Sequence, residues 1–260
     1  MSGGDFLNLL KNDNYVFGGT GLGSTGHKTL SPTTATTILS FKYRDGLLVA
    51  GDRRATAGMT VMYDRADKVI NIDQHSAMAI AGSPATAFEM ARVLAHSFKY
   101  YRRSQLQDLS LEGKVRALSR LLKENIPMAL QGVGAVAPIY AAYDPKVQEG
   151  RIYFYDMLGA EFEVVDSATT GSGSPGIRGV LHYLNRWSGQ AVSGFSEEEA
   201  VILAMRLLET AAEFDVATGG VKASADIYPI IKTIDKDGVR EIPFERLTAL
   251  YQEKVDISHV

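Results

Sequence analysis

The predicted strands and helices of this chain come in blocks, and this order is the feature that most limits its fold. Strands are followed by two helices, more strands, two further helices and a last group of strands. The hydrophobic patterns predict strands at residues 36–43, 47–52, 68–72, 77–81, 135–143, 151–155, 160–165, 227–234 and 239–242. Such blocks favour antiparallel sheets over alternating βαβ units. We therefore predict an α+β fold, a four-layer αββα sandwich of two antiparallel sheets flanked by helix pairs.

Local signals mark where several of these elements begin. The turn Arg44-Asp45-Gly46 joins the first two strands, because Asp-Gly readily supplies the positive φ of a tight hairpin. Ser83-Pro84 opens the first helix, and Ser196 with Glu199 forms a capping box for a later one, stapled by Phe195. Apolar stripes predict the buried faces of the first two helices, namely Phe88, Ala91, Ala95 and Phe98, then Val115, Leu118, Leu122 and Ala129.

Composition excludes several classes of function. The chain has 260 residues, 45% of them hydrophobic and 22% charged, with a net charge of -3 and an isoelectric point near 6.0. This near balance of charge gives no electrostatic reason to expect a nucleic acid or an anionic membrane as partner. The absence of cysteine excludes disulfides, zinc–thiolate sites and a cysteine nucleophile. A cytoplasmic location is the default expectation.

Residues 1–35 differ in composition from the rest of the chain and are predicted to be a flexible leader. They contain seven glycines, five of them in residues 18–26. Residues 21–26 match the dinucleotide fingerprint GxGxxG, but no strand precedes them. Residues 171–176 match it again, between a strand and a helix that runs to Trp187. A dinucleotide-binding module is therefore an alternative, although a loop and a capped helix follow where that fold needs another strand.

The stretch Ala35-Thr36-Thr37-Ile38-Leu39 contains a candidate nucleophile. If the bond before Thr36 is cut, this residue carries both a hydroxyl and a free α-amine, whose pKa of about 8 suits a general base. The hairpin register sets Thr36 opposite residues 53–55, which makes Asp52 a close neighbour. Lys68, at the start of the next strand, can reach the same end and lower the pKa of the amine. The simpler interpretation of Asp52 and Lys68 is a surface ion pair.

Six short motifs are spread along the chain. They are Thr36-Thr37-Ile38, Gly51-Asp52-Arg53-Arg54-Ala55-Thr56, Lys68-Val69, Ile80-Ala81-Gly82, Gly171-Ser172-Gly173-Ser174 and Asp215-Val216-Ala217-Thr218-Gly219-Gly220. Together they resemble the β-subunit of the proteasome core particle, bacterial type, a family of N-terminal nucleophile threonine peptidases. The resemblance extends from Thr36 to about Lys236, and Asp52 and Lys68 follow Thr36 by the 16 and 32 residues that the family uses.

The resemblance implies a role for each of these residues. Thr36 is the implied nucleophile with its own amine as base, and Asp52 and Lys68 set the electrostatics of that amine. The backbone N–H of Gly82 faces the developing oxyanion. The other implied contacts are Ser172 and Asp215 to the amine and the attacking water, Thr218 where the family places Ser or Thr, and Thr56 to the substrate backbone.

The same resemblance implies a pocket for the side chain before the scissile bond. Its implied lining is Ala55, Ala66, Ile70, Ile80, Pro84 and Phe88. None of these residues is charged. We therefore predict a preference for large apolar residues, which desolvation would favour in such a pocket.

Maturation is implied to divide the chain into two parts. Residues 1–35 would be a propeptide removed by self-cleavage between Ala35 and Thr36, and residues 36–260 one catalytic domain. The family normally has glycine where this chain has Ala35. Alanine disfavours a positive φ by about 1 kcal/mol, so we expect self-cleavage to be slow or altered in geometry.

The implied assembly is a closed chamber that degrades unfolded polypeptides. Its β-subunits form a homo-heptameric ring stacked on a second ring, α-subunits form the capping rings, and an ATPase ring delivers the substrate. No metal or organic cofactor is implied, since the five histidines lack ligand spacing. Two alternatives stay open: a catalytically silent β-ring subunit, and the smaller two-component bacterial peptidase relative.

Overall fold

The computed structural model describes residues 36–57 and 60–256. The predicted leader, the cleavage-site residue Ala35 and the fingerprint at residues 21–26 lie outside the described residues.

The first sheet has five strands, and each neighbouring pair is antiparallel. In spatial order they are β10 (Ser167–Gly171), β1 (Thr37–Tyr43), β2 (Gly46–Gly51), β11 (Ile230–Asp235) and β12 (Gly238–Glu241). Strands β1 and β2 lie inside the sheet and are covered on both faces, so nearly all their side chains are buried. This burial explains why both segments are almost continuously apolar.

The second sheet also has five antiparallel strands. In spatial order they are β5 (Val69–Asp73), β6 (Ser76–Ala79), β7 (Ile139–Asp144), β8 (Glu149–Tyr155) and β9 (Glu161–Val164). A separate antiparallel pair consists of β3 (Ala55–Ala57) and β4 (Thr60–Tyr63). This small pair connects the end of β2 to the segment that leads into β5.

Helices cover the outer face of each large sheet. The second sheet packs against α1 (Pro84–Gln105) and α2 (Leu111–Glu124). The first sheet packs against α4 (Ser174–Trp187), α5 (Glu197–Phe214) and α6 (Phe244–Leu250). Shorter helical segments are α3 (Ile126–Leu130), the 3-10 turns Val192–Gly194 and Ala223–Ala225, and the π turn Tyr251–Val255.

A third apolar layer joins the two sheets to each other. It contains side chains from both inner faces, among them Ile38, Val49, Ile230, Val69, Ala79 and Ile139. The order of layers is therefore helices, sheet, sheet, helices. This arrangement confirms the predicted α+β fold, the four-layer αββα sandwich of two antiparallel sheets.

The first hairpin was predicted correctly, but the reason given for its turn was wrong. Tyr43 pairs with Gly46, so the loop contains only Arg44 and Asp45. Neither Asp45 nor Gly46 has a positive φ. Glycine is required at position 46 for another reason, because a Cβ there would collide with the carbonyl oxygen of Ile234 on β11.

Two predicted strands begin later than expected. The strand predicted at residues 135–143 begins at Ile139, and the one predicted at 227–234 begins at Ile230. Each of them starts directly after a proline. Proline has no N–H to donate to a strand ladder, which explains both late starts.

The predicted helical stripes are right in part. The second helix ends at Glu124, and Ala129 lies in the separate α3, because Pro127 lacks the N–H that a continuous helix needs. On α1, Ala95 is only half-buried and Phe88 is 37% exposed. The buried face of α1 is instead formed by Ala87, Met90, Ala91, Val93, Leu94 and Phe98.

The start of α5 is confirmed in detail. The hydroxyl of Ser196 accepts the N–H of Glu199, and the Glu199 carboxylate accepts the N–H of Ser196 at 2.8 Å. Three short strands were missed, namely β3, β4 and β10. The fingerprint at residues 171–176 joins β10 to α4, and α5 follows in place of a parallel strand. The dinucleotide-binding alternative is therefore wrong for this fold.

Candidate active site

A buried carboxylate lies at the end of β2. Asp52 follows Gly51 directly and is fully buried. Its Oδ1 accepts the N–H of Thr37 at 2.8 Å and the ammonium of Lys68 at 2.7 Å. Its Oδ2 accepts the N–H groups of Arg54 and Gly219, both at 2.9 Å. Four donors therefore compensate the burial of this charge, as a buried carboxylate requires.

Lys68 is the partner of Asp52 and immediately precedes β5. The lysine is 3% exposed, and its Nζ also donates to the carbonyl oxygen of Arg54. Burial lowers the pKa of the Lys68 ammonium below its usual value of 10.5, while the Asp52 charge and hydrogen bond oppose this effect. The interpretation of Asp52 and Lys68 as a surface ion pair is therefore wrong, because both side chains are inside the protein.

Thr36 lies just before β1 and is 6% exposed. Its carbonyl oxygen accepts the N–H of Ser172 at 3.2 Å. Gly171, the last residue of β10, has a φ of 100°, and a Cβ there would collide with this carbonyl group. The observed register pairs Ile38 with Gly51, so Asp52 lies beside the start of β1 as predicted.

Hydroxyl groups and one carboxylate form a connected network at the end of α5. Asp215 caps this helix, and its Oδ2 accepts from Ser172 Oγ at 2.6 Å and from Thr218 Oγ1 at 2.5 Å. Thr218 Oγ1 also lies 2.5 Å from Thr37 Oγ1. The network thus links the predicted residues Ser172, Asp215 and Thr218 to the threonine that follows Thr36.

Gly82 lies three residues after the end of β6 and forms an isolated antiparallel bridge with Val136. Its φ is 106°, and a Cβ there would collide with the carbonyl oxygen of Ala135. Only glycine fits such a position without strain. Within residues 36–57 and 60–256, no hydrogen-bond acceptor is found for the Gly82 N–H.

One cavity brings several predicted residues together. It has a volume of about 410 Å³, and its wall includes Thr36, Lys68 and Gly82. Five of the six predicted pocket residues also line it, namely Ala55, Ala66, Ile80, Pro84 and Phe88. Ile70 is not among the lining residues; it is half-buried and packs against the core between the second sheet and its helices.

Three further residues around this cavity were missed by the sequence analysis. Tyr63, Arg65 and Asp67 line it and are exposed. Asp67 is paired with Arg53, and the guanidinium of Arg65 donates to the carbonyl oxygen of Ala225 at 2.6 Å. The run Thr60–Tyr63 is rich in β-formers, and this signal would have predicted β4 and drawn attention to its end.

Thr56 lies in β3, opposite Val61 of β4. It is 2% exposed, and its Oγ1 has no hydrogen-bond partner in the described part of the chain. The backbone contact to substrate expected of Thr56 stays a prediction.

The fold and this site define a class of protein. Two antiparallel sheets between helical layers, with the first strand beginning beside a buried Asp–Lys pair, form the fold of the N-terminal nucleophile hydrolases. Residues 33–224 match the family described as Proteasome subunit. The chain therefore belongs to the proteasome subunit family, and within it to the bacterial β-type.

Two relatives illustrate this membership. The chain is 39% identical to "Proteasome subunit beta 2" of Thermomonospora curvata over 220 residues, which cover 85% of this chain and 76% of the relative. It is 36% identical to "Proteasome subunit beta" of Acidimicrobium ferrooxidans over 218 residues, 84% of this chain and 77% of the relative. The family relationship makes the chain a protease subunit that assembles with α- and β-subunits in a core particle.

The helices of the described residues are not of the membrane-spanning kind. Across residues 36–57 and 60–256, none combines the length and the hydrophobicity that crossing a bilayer requires.

Proposed function

We propose that this chain is a threonine endopeptidase subunit of the proteasome core particle, with Thr36 as its N-terminal nucleophile. One observation carries the proposal: Thr36, Gly82 and Lys68 share the wall of a single cavity. Lys68 is held there by the fully buried Asp52, at 2.7 Å. A hydroxyl, a backbone N–H with no acceptor among the described residues, and a buried cation beside an apolar cavity are the groups that acyl transfer to threonine needs.

The proposed reaction begins once the bond before Thr36 is cut. The Oγ1 of Thr36 attacks the substrate carbonyl carbon, and its proton passes to the new α-amine. Collapse of the tetrahedral intermediate gives that proton to the leaving amine and leaves an ester on Thr36. A water molecule then attacks the ester, its proton passes through the amine to Oγ1, and a carboxylic acid is released.

Asp52 and Lys68 are proposed to set the pKa of the Thr36 amine. A cation near the amine disfavours its protonated form, so the amine stays free to accept a proton near neutral pH. The four hydrogen bonds to Asp52 keep this charge pair in one place. Electrostatic groups fixed in this way need no reorganisation during the reaction.

Gly82 is proposed to supply the oxyanion donor. Its N–H has no acceptor in the described part of the chain, and this and its place in the cavity wall support the role. Ser172, Asp215 and Thr218 are proposed to orient the amine and the attacking water, which is consistent with their network beside Thr36. Thr56 is proposed to bind the substrate backbone by strand addition.

The cavity is proposed to accept the side chain before the scissile bond. Its lining by Ala55, Ala66, Ile80, Pro84 and Phe88 favours large apolar side chains through desolvation. Fluorogenic peptides ending in Leu or Tyr should be cleaved faster than those ending in Arg or Asp. Faster cleavage after Arg or Asp would refute this specificity.

Maturation is proposed to remove residues 1–35 by attack of Thr36 on the carbonyl of Ala35. Alanine there, in place of the usual glycine, is expected to slow this step. Mass spectrometry of the chain purified with its α-partner tests it. A mature chain beginning at Thr36 supports self-processing, and an intact chain of 260 residues contradicts it.

The proposed setting is the cytoplasm, in stacked homo-heptameric β-rings capped by α-subunit rings. An ATPase ring would deliver unfolded polypeptide to the chamber. Enclosure has a physical rationale, since an apolar pocket of low specificity would otherwise cleave many exposed segments.

A catalytically silent β-subunit is the second candidate, and Ala35 is the observation that favours it. The substitution Thr36→Ala separates the two candidates. An active subunit should lose both self-processing and peptide hydrolysis while its rings still form. If Thr36→Ala particles hydrolyse peptides as fast as the unchanged ones, Thr36 is not the nucleophile.

A further inference from the structure

Thr37, the residue after the proposed nucleophile, is fully buried and engaged at every polar atom. Its N–H donates to Asp52 Oδ1 at 2.8 Å, and its carbonyl oxygen accepts the N–H of Asp52 at 3.1 Å. Its Oγ1 accepts the N–H of Gly173 at 3.0 Å and lies 2.5 Å from Thr218 Oγ1. Thr37 therefore contacts both the Asp–Lys pair and the hydroxyl network.

The direction of the hydrogen bonds in this network follows from counting protons. An ionised carboxylate only accepts, so the single hydroxyl proton of Thr218 is used on Asp215 Oδ2. The proton between the two threonines must then come from Thr37. The donor-to-acceptor direction is therefore the same along this series of hydrogen bonds. The Gly173 N–H donates to Thr37 Oγ1, Thr37 donates to Thr218, and Thr218 donates to Asp215.

The packing around Thr37 fixes the hydroxyl in this place. A Cβ at Gly173 would lie 2.6 Å from Thr37 Oγ1 and 2.7 Å from Thr218 Oγ1, so glycine is needed for the N–H to approach. The branched Cβ of threonine restricts χ1, which limits the hydroxyl to few orientations. Thr37 is buried and makes four hydrogen bonds, and such a fully bonded network makes its position rigid.

We propose that Thr37 is a positioning residue, whose hydroxyl couples Asp215 to the backbone that carries Thr36 and so holds the nucleophile at its working position. Ser172 completes the coupling, because its N–H binds the Thr36 carbonyl while its Oγ binds Asp215. Two sets of hydrogen bonds therefore hold the backbone on the C-terminal side of Thr36, one through Thr37 and one through Ser172. This inference rests on the proposed function, in which Thr36 is the nucleophile.

The test uses three variants of the full chain, each co-expressed with the α-subunit and purified as assembled particles. Thr37→Val removes the hydroxyl at nearly constant volume, and Thr37→Ser restores it. Thr233→Val is the matched control, since Thr233 is also a fully buried strand threonine but its Oγ1 has no hydrogen-bond partner among the described residues. Values of kcat and KM are measured per chain that begins at Thr36.

We expect Thr37→Val to lower kcat about 10- to 100-fold with KM nearly unchanged, as a misplaced reacting group does. Thr37→Ser should keep kcat within about threefold of the unchanged chain, and Thr233→Val should match it. A purely structural role would lower the yield of particles but leave the kcat of the surviving ones intact, and that result overturns the proposal.

Three further outcomes are decisive. If Thr37→Val particles do not assemble, a loss of about tenfold or more in Thr37→Ser overturns the proposal, because the hydroxyl is present there. If Thr36→Ala abolishes hydrolysis while Thr37→Val leaves kcat unchanged, only this inference fails and the proposed function stands. Hydrolysis that survives Thr36→Ala refutes the proposed function itself.

Discussion

The Nζ of Lys68 lies 2.7 Å from Oδ1 of Asp52, and neither side chain is more than 4% exposed. The same oxygen accepts the N–H of Thr37, so the ion pair is attached directly to the first residue of β1. A displacement of the pair therefore displaces the backbone next to Thr36.

Replacing Lys68 with methionine should be strongly destabilising. It removes the cation but leaves the Asp52 carboxylate buried, so we expect a loss of about 3–5 kcal/mol in the free energy of unfolding and loss of peptide hydrolysis. Denaturant unfolding measures the first effect. Lys42→Met is the control, because Lys42 forms a longer, partly exposed pair with Glu149, and a loss below about 1 kcal/mol is expected. Equal losses of unfolding free energy in Lys68→Met and Lys42→Met would contradict the idea that burial determines how much each ion pair matters for stability.

Gly171→Ala should prevent correct placement of Thr36. The φ of 100° is unfavourable for alanine by at least about 1 kcal/mol, and the new Cβ would collide with the Thr36 carbonyl group. We expect lower stability and little chain beginning at Thr36, measured by thermal unfolding and mass spectrometry. Gly176→Ala is the matched control inside α4, where a Cβ meets nothing within 4 Å. That variant should be neutral or slightly stabilising.

Ala55→Leu should narrow the cavity beside Thr36. We expect cleavage after Tyr to fall about tenfold or more relative to cleavage after Ala, since a filled pocket excludes large side chains. Ala57→Leu places the same side chain on an exposed position of β3 and should leave this ratio unchanged. The ratio of kcat/KM for the two peptides is the measurement. A drop in Ala55→Leu that is equal for both peptides would argue against the cavity as the specificity pocket.

Glu209 provides a test of pH dependence away from the site. Burial raises the pKa of its carboxyl above the usual 4.5, although the N–H of Val221 opposes this effect. In the unfolded chain, the Glu209 carboxyl loses its proton at a lower pH than in the folded chain. The contribution of Glu209 to the free energy of unfolding is therefore fully present below pH 4.5 and is lost as the pH rises through the raised folded-state pKa.

Glu209→Gln should therefore raise the free energy of unfolding at pH 7, and the gain should shrink as the pH approaches 4.5. Denaturant unfolding at several pH values measures it. Glu245→Gln changes an exposed glutamate of α6 that is not among the causes of the raised Glu209 pKa, and it should show no such gain. A gain that is constant with pH would point to a cause other than titration.

The parts of the fold that depend on local signals could be predicted from the sequence. The hydrophobic blocks gave the two sheets and their helices, and Ser196 with Glu199 marked the start of α5. The nearness of Asp52 to Thr36 was also local, because a two-residue loop fixes the register of the first hairpin. Each of these features depends on residues close together in the chain.

The remainder depends on contacts between distant segments. Strand β10 has the polar sequence Ser-Ala-Thr-Thr-Gly, so no apolar pattern predicted the pairing of Gly171 with Thr37. Gly46 is explained only by Ile234, on a strand far away in the chain. The pairing of Ser172 with Asp215 likewise needs β10 and the end of α5 to meet. Sequence motifs indicated these residues, but not the geometry that joins them.

The first sheet begins at Thr37, one residue after the proposed nucleophile. A cut before Thr36 would leave every described pair of this sheet in place, together with the carbonyl group that Ser172 binds. The cut and uncut chains can share one folded domain, so assembly need not wait for maturation and maturation need not disturb assembly. In the proposed scheme, removal of residues 1–35 can activate Thr36 at a late stage without any change in the described fold.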